Sequence, residues 1–299
     1  MNSSLGDLDA KQNYYDYNNI SDSYEYTEEV LSDLGWNVWI SIILTTCCVG
    51  FVGNGYIIWL LGFQIKRNCF TTFILNLAVA DFGYLASAFI YYIHSFTDFQ
   101  GSKVLYHLCI YFTCMVYINT NFLLTAISID RCVAVLFPIW HRCSRPKHLS
   151  SRVCVLLWIS SFLLSGIMSV MKFFVSYRLS MLHFLVTAII CLPLITLSTV
   201  VLFIKVCCKP KQKNKGRLLL MILITLLCFL ILSFPLCVLA MIISFIRLLD
   251  YYILLSCVNS SINPVIYFLV GRKKGTQSKE SMKVILQKVF KEGEATGGR

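Results

Sequence analysis

Two ionisable positions in this chain stand among residues that are almost all apolar. Asp130 and Arg131 are adjacent in NFLLTAISIDRCVAVLFPIWHRCSRPKHLS, at the end of a long apolar run. A polar, basic stretch holding His141, Arg142, Arg145, Lys147 and His148 follows them. Asp81 is alone in LNLAVADFGYL. Charge at such depth is expensive and usually marks function. The chemistry these types permit is ion pairing and cation binding rather than bond making. Asp81 needs polar partners or a cation. Asn54, Thr120, Asn259 and Asn263 lie at comparable depths in other apolar runs, so one shared polar cavity that takes a sodium ion at Asp81 is the functional reading. The alternative is a hydrogen-bonded cluster that only holds helices together. Neighbours in sequence point apart on a helix, yet a long arginine can fold back, so Arg131 is expected to reach Asp130.

The elements that must position these groups follow from composition. The chain has 299 residues, 57% hydrophobic and 14% charged, against about 25% charged in a soluble domain. Seven apolar segments are expected as helices: 36–63, 70–94, 104–137, 152–171, 181–206, 218–245 and 251–270. The third, about 51 Å long at the helical rise, must tilt or project from a bilayer. The expected fold is therefore an all-α membrane protein, a seven-transmembrane helix bundle over 36–270. Residues 1–35 form an acidic tail, with eight acids against Lys11 and sequons at Asn2 and Asn19. It lacks the basic start and apolar run of a cleaved signal peptide. Residues 271–299 form a basic tail in which Met282, Ile285, Leu286, Val289 and Phe290 trace a one-sided amphipathic helix suited to a membrane surface.

Charge bias sets the orientation. Of the 26 Lys and Arg residues, only Lys11, Lys103, Lys172, Arg178 and Arg247 fall on the side of the N-terminus; the other 21 fall opposite. The N-terminus is thus expected outside and the C-terminus in the cytoplasm. The net charge of +11 lines one membrane face, where it meets anionic lipid, which argues against nucleic acid as a partner. The 14 cysteines show no CxxC pair or Cys/His cluster of ligand spacing and read as small buried hydrophobes. No HExxH, GxSxG or glycine-rich nucleotide loop is present, so an enzyme is not expected, and no cofactor beyond the sodium ion. A secondary transporter predicts repeated halves and a channel predicts pore-lining charge; neither pattern is found.

Pro193, Pro235 and Pro264 interrupt apolar segments as kinks. In NSSINPVIY the proline gathers Asn263, Pro264 and Tyr267, an arrangement suited to a hinge in which the tyrosine changes partners. Ser233, two residues before Pro235, leaves a low floor to any pocket. No acid lies near the inner start of the sixth segment, which reads Lys215-Gly216-Arg217. Restraint of Arg131 is therefore expected to rest largely on Asp130, with appreciable basal activity.

In order along the chain, GNGY at 53–56, LNLAVAD at 75–81, IDRC at 129–132, Trp158, Pro193, Pro235 and NPVIY at 263–267 resemble the rhodopsin-like G-protein-coupled receptors over about 36–290. AISIDRCVAVLFPIWHRCSRPKHLS, VCVLLW, NSSINPVIYFLVG and ESMKVILQKVF resemble the Mas-related branch, several of whose members are orphans. The resemblance implies a plasma-membrane receptor that passes a peptide or small-molecule signal to heterotrimeric G proteins. Carried over by position, Asn54, Asp81, Asn259 and Asn263 form the central polar site, Arg131 meets the G protein, and Tyr267 acts in the inward rearrangement. The chain departs from the family pattern at Tyr106, where an outer cysteine is usual, and at Thr113, where amine receptors carry Asp. Thr113, Tyr117, Lys172, Arg178, Ser233, Arg247 and Asp250 remain as ligand contacts. A non-signalling or ligand-independent role as a membrane interaction or heterodimer partner is the alternative.

Overall fold

The computed structural model describes residues 34–65, 67–96, 103–146, 148–174, 187–208, 216–242, 249–271 and Gln287, and within them every regular element is helical. The molecule divides between Thr45 and Thr46 into two units. Residues 34–45 of the first are helical, and the packed bundle belongs to the second. Helix α1 covers 34–59 and passes into a π turn, Leu60–Gln64. Then come α2 (Cys69–Phe96), α3 (Lys103–Leu136), the short α4 (Pro138–Cys143) and α5 (Leu149–Phe174). A second π turn, Thr187–Cys191, leads into α6 (Leu192–Cys208), followed by α7 (Gly216–Ile242) and α8 (Leu249–Gly271).

Local chemistry sets several of these boundaries. Asn68 caps α2: its Oδ1 accepts from the backbone N–H of Phe70 at 3.0 Å and of Thr71 at 2.7 Å, while Thr71 Oγ1 accepts from Asn68 N–H at 2.7 Å. That reciprocal capping satisfies donors that a helix start otherwise leaves open. Pro138 opens α4, where its missing N–H costs nothing. Pro193 falls at the second residue of α6, just after the π turn. The expected kink is thus a change of helical winding at that point. Ser160, Ser161, Thr196, Thr199 and Thr225 each donate a hydroxyl to the carbonyl four residues back, so these polar side chains need no water.

Among the described residues, five helices are long and apolar enough to cross a membrane: Leu34–Gln64, Cys69–His94, His107–Leu136, Leu149–Met171 and Tyr251–Val270. Ile189–Lys205 and Leu219–Leu232 are shorter apolar helices within the described residues. These two stretches lie in the fifth and sixth of the seven segments expected from sequence, parts of which fall outside the described residues. The result is an all-α, multi-span membrane bundle. The most apolar stretch of α3 is 61% buried and that of α5 only 22%, which makes α3 the central helix and α5 a peripheral one. Val155, Leu156, Ile159, Phe162, Leu163, Ile167 and Val170 of α5 are all exposed, as lipid-facing residues are.

Helix α3 packs on α2, α5 and α6, and α8 packs on α7 and α2. Polar stitches fix the register of α2, α3 and α5. Trp158 Nε1 donates to Asn76 Oδ1 at 3.0 Å, Tyr111 OH to the Phe162 carbonyl at 3.0 Å, and Ser165 Oγ to the Tyr111 carbonyl at 3.1 Å. On the other side, α1 meets α8 across two glycines. A Cβ added at Gly50 would lie 2.3 Å from Ser261 Oγ, and one at Gly53 would lie 3.0 Å from Pro264 Cβ. The backbones can approach this closely only because both side chains are absent.

Candidate functional site

The bundle holds two polar centres, and α2, α3 and α8 build the first. Asp81 of α2 is fully buried. Its Oδ2 accepts from Asn263 Nδ2 at 2.8 Å and its Oδ1 from Thr120 Oγ1 at 3.4 Å. These two residues are brought onto Asp81 from α8 and α3. Asn54 is placed differently: its amide donates to the carbonyls of Gly50 at 3.1 Å and Ser260 at 3.0 Å. It ties α1 to the backbone of α8 and does not touch the carboxylate. The shared cavity read from sequence therefore includes Asn54 only through Ser260.

A cavity of about 10 Å³ adjoins this centre, lined by Tyr84, Tyr117, Thr120, Asn121, Phe229, Ser256, Asn259 and Ser260. That is room for a single water or a bare ion. Asn121 Nδ2 donates to the Tyr117 carbonyl at 2.7 Å, while its Oδ1 has no hydrogen-bond partner among the described residues. An acceptor oxygen left open beside hydroxyls and a carboxylate suits a small hard cation, which selects oxygen ligands. The donor set thus fits sodium, with Asp81, Thr120, Asn121 and the Ser256 and Ser260 hydroxyls as the groups that would hold it.

Two of these lining residues, Tyr84 and Tyr117, form an aromatic group with Tyr252. The Tyr117 ring lies 6.2 Å from that of Tyr84 and 5.6 Å from that of Tyr252, tilted or edge-on to each, a geometry that aromatic quadrupoles favour. All three are buried. Sequence reading picked out Tyr117 alone. The missed signal was spacing: Tyr84 is one helical turn beyond Asp81, and Tyr117 is one turn before Thr120.

The second centre sits at the end of α3. Arg131 folds back on its neighbour, with Nε donating to Asp130 Oδ2 at 3.0 Å and Nη2 pairing with the same oxygen. Its guanidinium also lies 4.4 Å from the centre of the Phe70 ring, a cation–π contact. Both side chains are nearly buried. Asp130 has further partners. Arg145 Nη2 pairs with Asp130 Oδ1 at 2.7 Å, and His141 Nε2 lies 3.6 Å from the same oxygen. Arg131 is thus held by Asp130 and the Phe70 ring, as the sequence suggests for Asp130, while Asp130 itself is shared among Arg131, Arg145 and His141. His141 and Arg145 were visible in sequence only as loop bases; the fold of α4 turns them back under α3.

Pro264 lies inside α8, with Tyr267 buried one turn later. Thr113 lies on α3, where its hydroxyl donates to the Cys109 carbonyl at 2.7 Å. Lys172 falls in α5, Ser233 and Pro235 in α7, and Asp250 in α8; their side chains lie outside the described residues. So do Asn2, Asn19, Arg178 and Arg247, and, Gln287 apart, the expected amphipathic helix over 280–290.

The sequence matches the family described as "7 transmembrane receptor (rhodopsin family)" over residues 53–267, which takes in both polar centres. It is 39% identical over 277 residues to Mas-related G-protein coupled receptor member H of Rattus norvegicus, covering 87% of this chain and 86% of that protein. The chain belongs to the Mas-related branch of the rhodopsin receptor family. The receptor is also 35% identical over 272 residues to human Proto-oncogene Mas, covering 84% and 82% of the two chains. With Mas-related G-protein coupled receptor member X1 of Mus musculus the identity is 33% over 269 residues, covering 84% and 83%. Membership makes the receptor a signal transducer of the G-protein-coupled class, not an enzyme.

Proposed function

We propose that the receptor crosses the plasma membrane seven times, with its N-terminus outside, and offers Arg131 to a heterotrimeric G protein on the cytosolic side. The observation that carries this reading is the state of Arg131: nearly buried, folded onto Asp130 and stacked on Phe70. A cation held in this way at the end of the central helix is a stored contact, available to a partner when the helices move. The exposed residues Leu136, Phe137, Ile139 and Trp140 run directly on from α3 into α4. They supply apolar surface beside that arginine for a docking partner.

In this reading the Asp81 centre stabilises the resting bundle. A sodium ion, when bound, would supply positive charge to a buried carboxylate. Asp81, Asn263 and Thr120 tie α2, α8 and α3 together, and Pro264 is the hinge about which the inner part of α8 turns, carrying Tyr267. An extracellular peptide or small molecule would bias that hinge from the opposite end, near Thr113, Tyr117, Lys172, Arg178, Ser233, Arg247 and Asp250. The tail over 1–35 would be extracellular and glycosylated at Asn2 or Asn19, and the tail over 271–299 cytoplasmic.

The test is a panel of G-protein activation assays in cells at matched surface expression, comparing wild type with Arg131→Ala. A basal or evoked signal lost in the variant supports the proposal. A wild type that reaches the surface and activates no G protein in the panel would favour a membrane interaction or heterodimer role.

A further inference from the structure

We infer that Arg145 is the standby counter-ion of Asp130: it keeps the carboxylate paired when Arg131 leaves, and so permits that departure. The inference rests on the reading of Arg131 as the switch. It starts from how the two arginines divide one carboxylate. Both contacts of Arg131 are to Oδ2, whereas Arg145 pairs with Oδ1 at 2.7 Å. Neither arginine blocks the other, and Arg131 can turn away while the Arg145 pair stays intact.

Arg145 is also held by groups independent of α3. Its Nη2 donates to Ser150 Oγ at 2.6 Å in the first turn of α5, and its Nη1 meets His141 Nε2 in α4. Ser150 is buried, and the Arg145 side chain is only 6% exposed. The segment between α3 and α5 thus delivers a guanidinium to Asp130 from outside the helix that carries the switch. His141 is the remaining neighbour, 3.6 Å away and charged only when protonated, so it is a poorer substitute.

The sign of the effect follows from desolvation. A buried carboxylate that loses its sole partner is strongly disfavoured. Without Arg145, release of Arg131 would leave Asp130 with His141 alone, and the resting state would gain. With Arg145 in place, release leaves a paired ion. An ordinary clamp would lower activity by its presence, whereas this one raises the population of the released state.

Two measurements test this. The first needs no ligand and no signal: melting temperatures of the purified full-length receptor for Arg131→Ala, Arg145→Ala and the double variant. The double variant is expected to lose about 5 °C more than the two single losses together. That excess should disappear when Asp130→Asn is added. Additive losses would overturn the inference. The second is agonist-independent G-protein activation at matched surface expression. Arg145→Ala should fall at least about tenfold, Arg145→Lys should retain most of the signal, and Arg145→Ala should have no effect in an Asp130→Asn background. A rise in Arg145→Ala would show a lock and overturn the idea. If Arg131→Ala leaves signalling unaltered, the switch reading is what fails, and the melting cycle still decides whether Arg145 is the reserve partner.

Discussion

Gly50→Ala tests the seam on which the hinge of α8 rests. The added methyl would lie 2.3 Å from Ser261 Oγ and 2.4 Å from Leu85 Cδ1, each about 1 Å inside ordinary contact. One neighbour could yield as a flexible tip, but Ser261 Oγ also donates to the Thr46 carbonyl at 3.0 Å. Overpacking of this kind costs about 1–3 kcal/mol, and displacing the hydroxyl costs about 1 kcal/mol more. Against this, Ala is favoured over Gly in a helix by about 1 kcal/mol. The clash wins, leaving a net loss of about 1–3 kcal/mol, or about 3–10 °C in melting temperature for a domain of this size. Gly55→Ala is the internal control. It sits in the same helix, and its Cβ would meet only Phe82 Cε2 at 3.7 Å, so it should keep the helical gain and melt no lower than wild type. Thermal melting of the detergent-purified receptor with a thiol-reactive dye reads both. A Gly50→Ala receptor that melts as high as Gly55→Ala would refute the close approach of α1 and α8.

Asp81→Asn removes the only charge in the first centre while keeping its size. Sodium should shift the melting temperature of wild type relative to an equal concentration of choline, and the shift should vanish in the variant; an unchanged shift would place the ion elsewhere. Trp158→Phe deletes the 3.0 Å bond to Asn76 and leaves a partly buried amide oxygen open. It should cost about 1–2 kcal/mol, seen as a drop of a few degrees in melting, with G-protein activation per surface receptor unchanged.

Much of the architecture was legible because a bilayer limits the choices. Apolar length is a local quantity, and a long helix is the simplest way to satisfy a backbone in lipid. The third segment was read as 104–137 and is found at Lys103–Leu136. Asp81 and the Asp130–Arg131 pair were conspicuous for the same reason, as charges in an apolar run. Their partners were harder to see. Asn54, Thr120 and Asn263 share a sequence depth with Asp81, yet only Thr120 and Asn263 reach it. Depth fixes a residue's height along its helix and leaves its angle about that helix open.

Sequence alone determined that the chain is a bundle of apolar helices with isolated charges at two levels, since burial of charge and hydrophobic length are written residue by residue. Tertiary structure decided the pairings. It turned α4 so that Arg145 and His141 reach back to Asp130, it brought the rings of Tyr84 and Tyr252 against Tyr117, and it set α1 against α8 through Gly50 and Gly53. These contacts join residues far apart in the chain, and they depend on helix rotation and crossing, which packing of whole surfaces sets and no local pattern encodes.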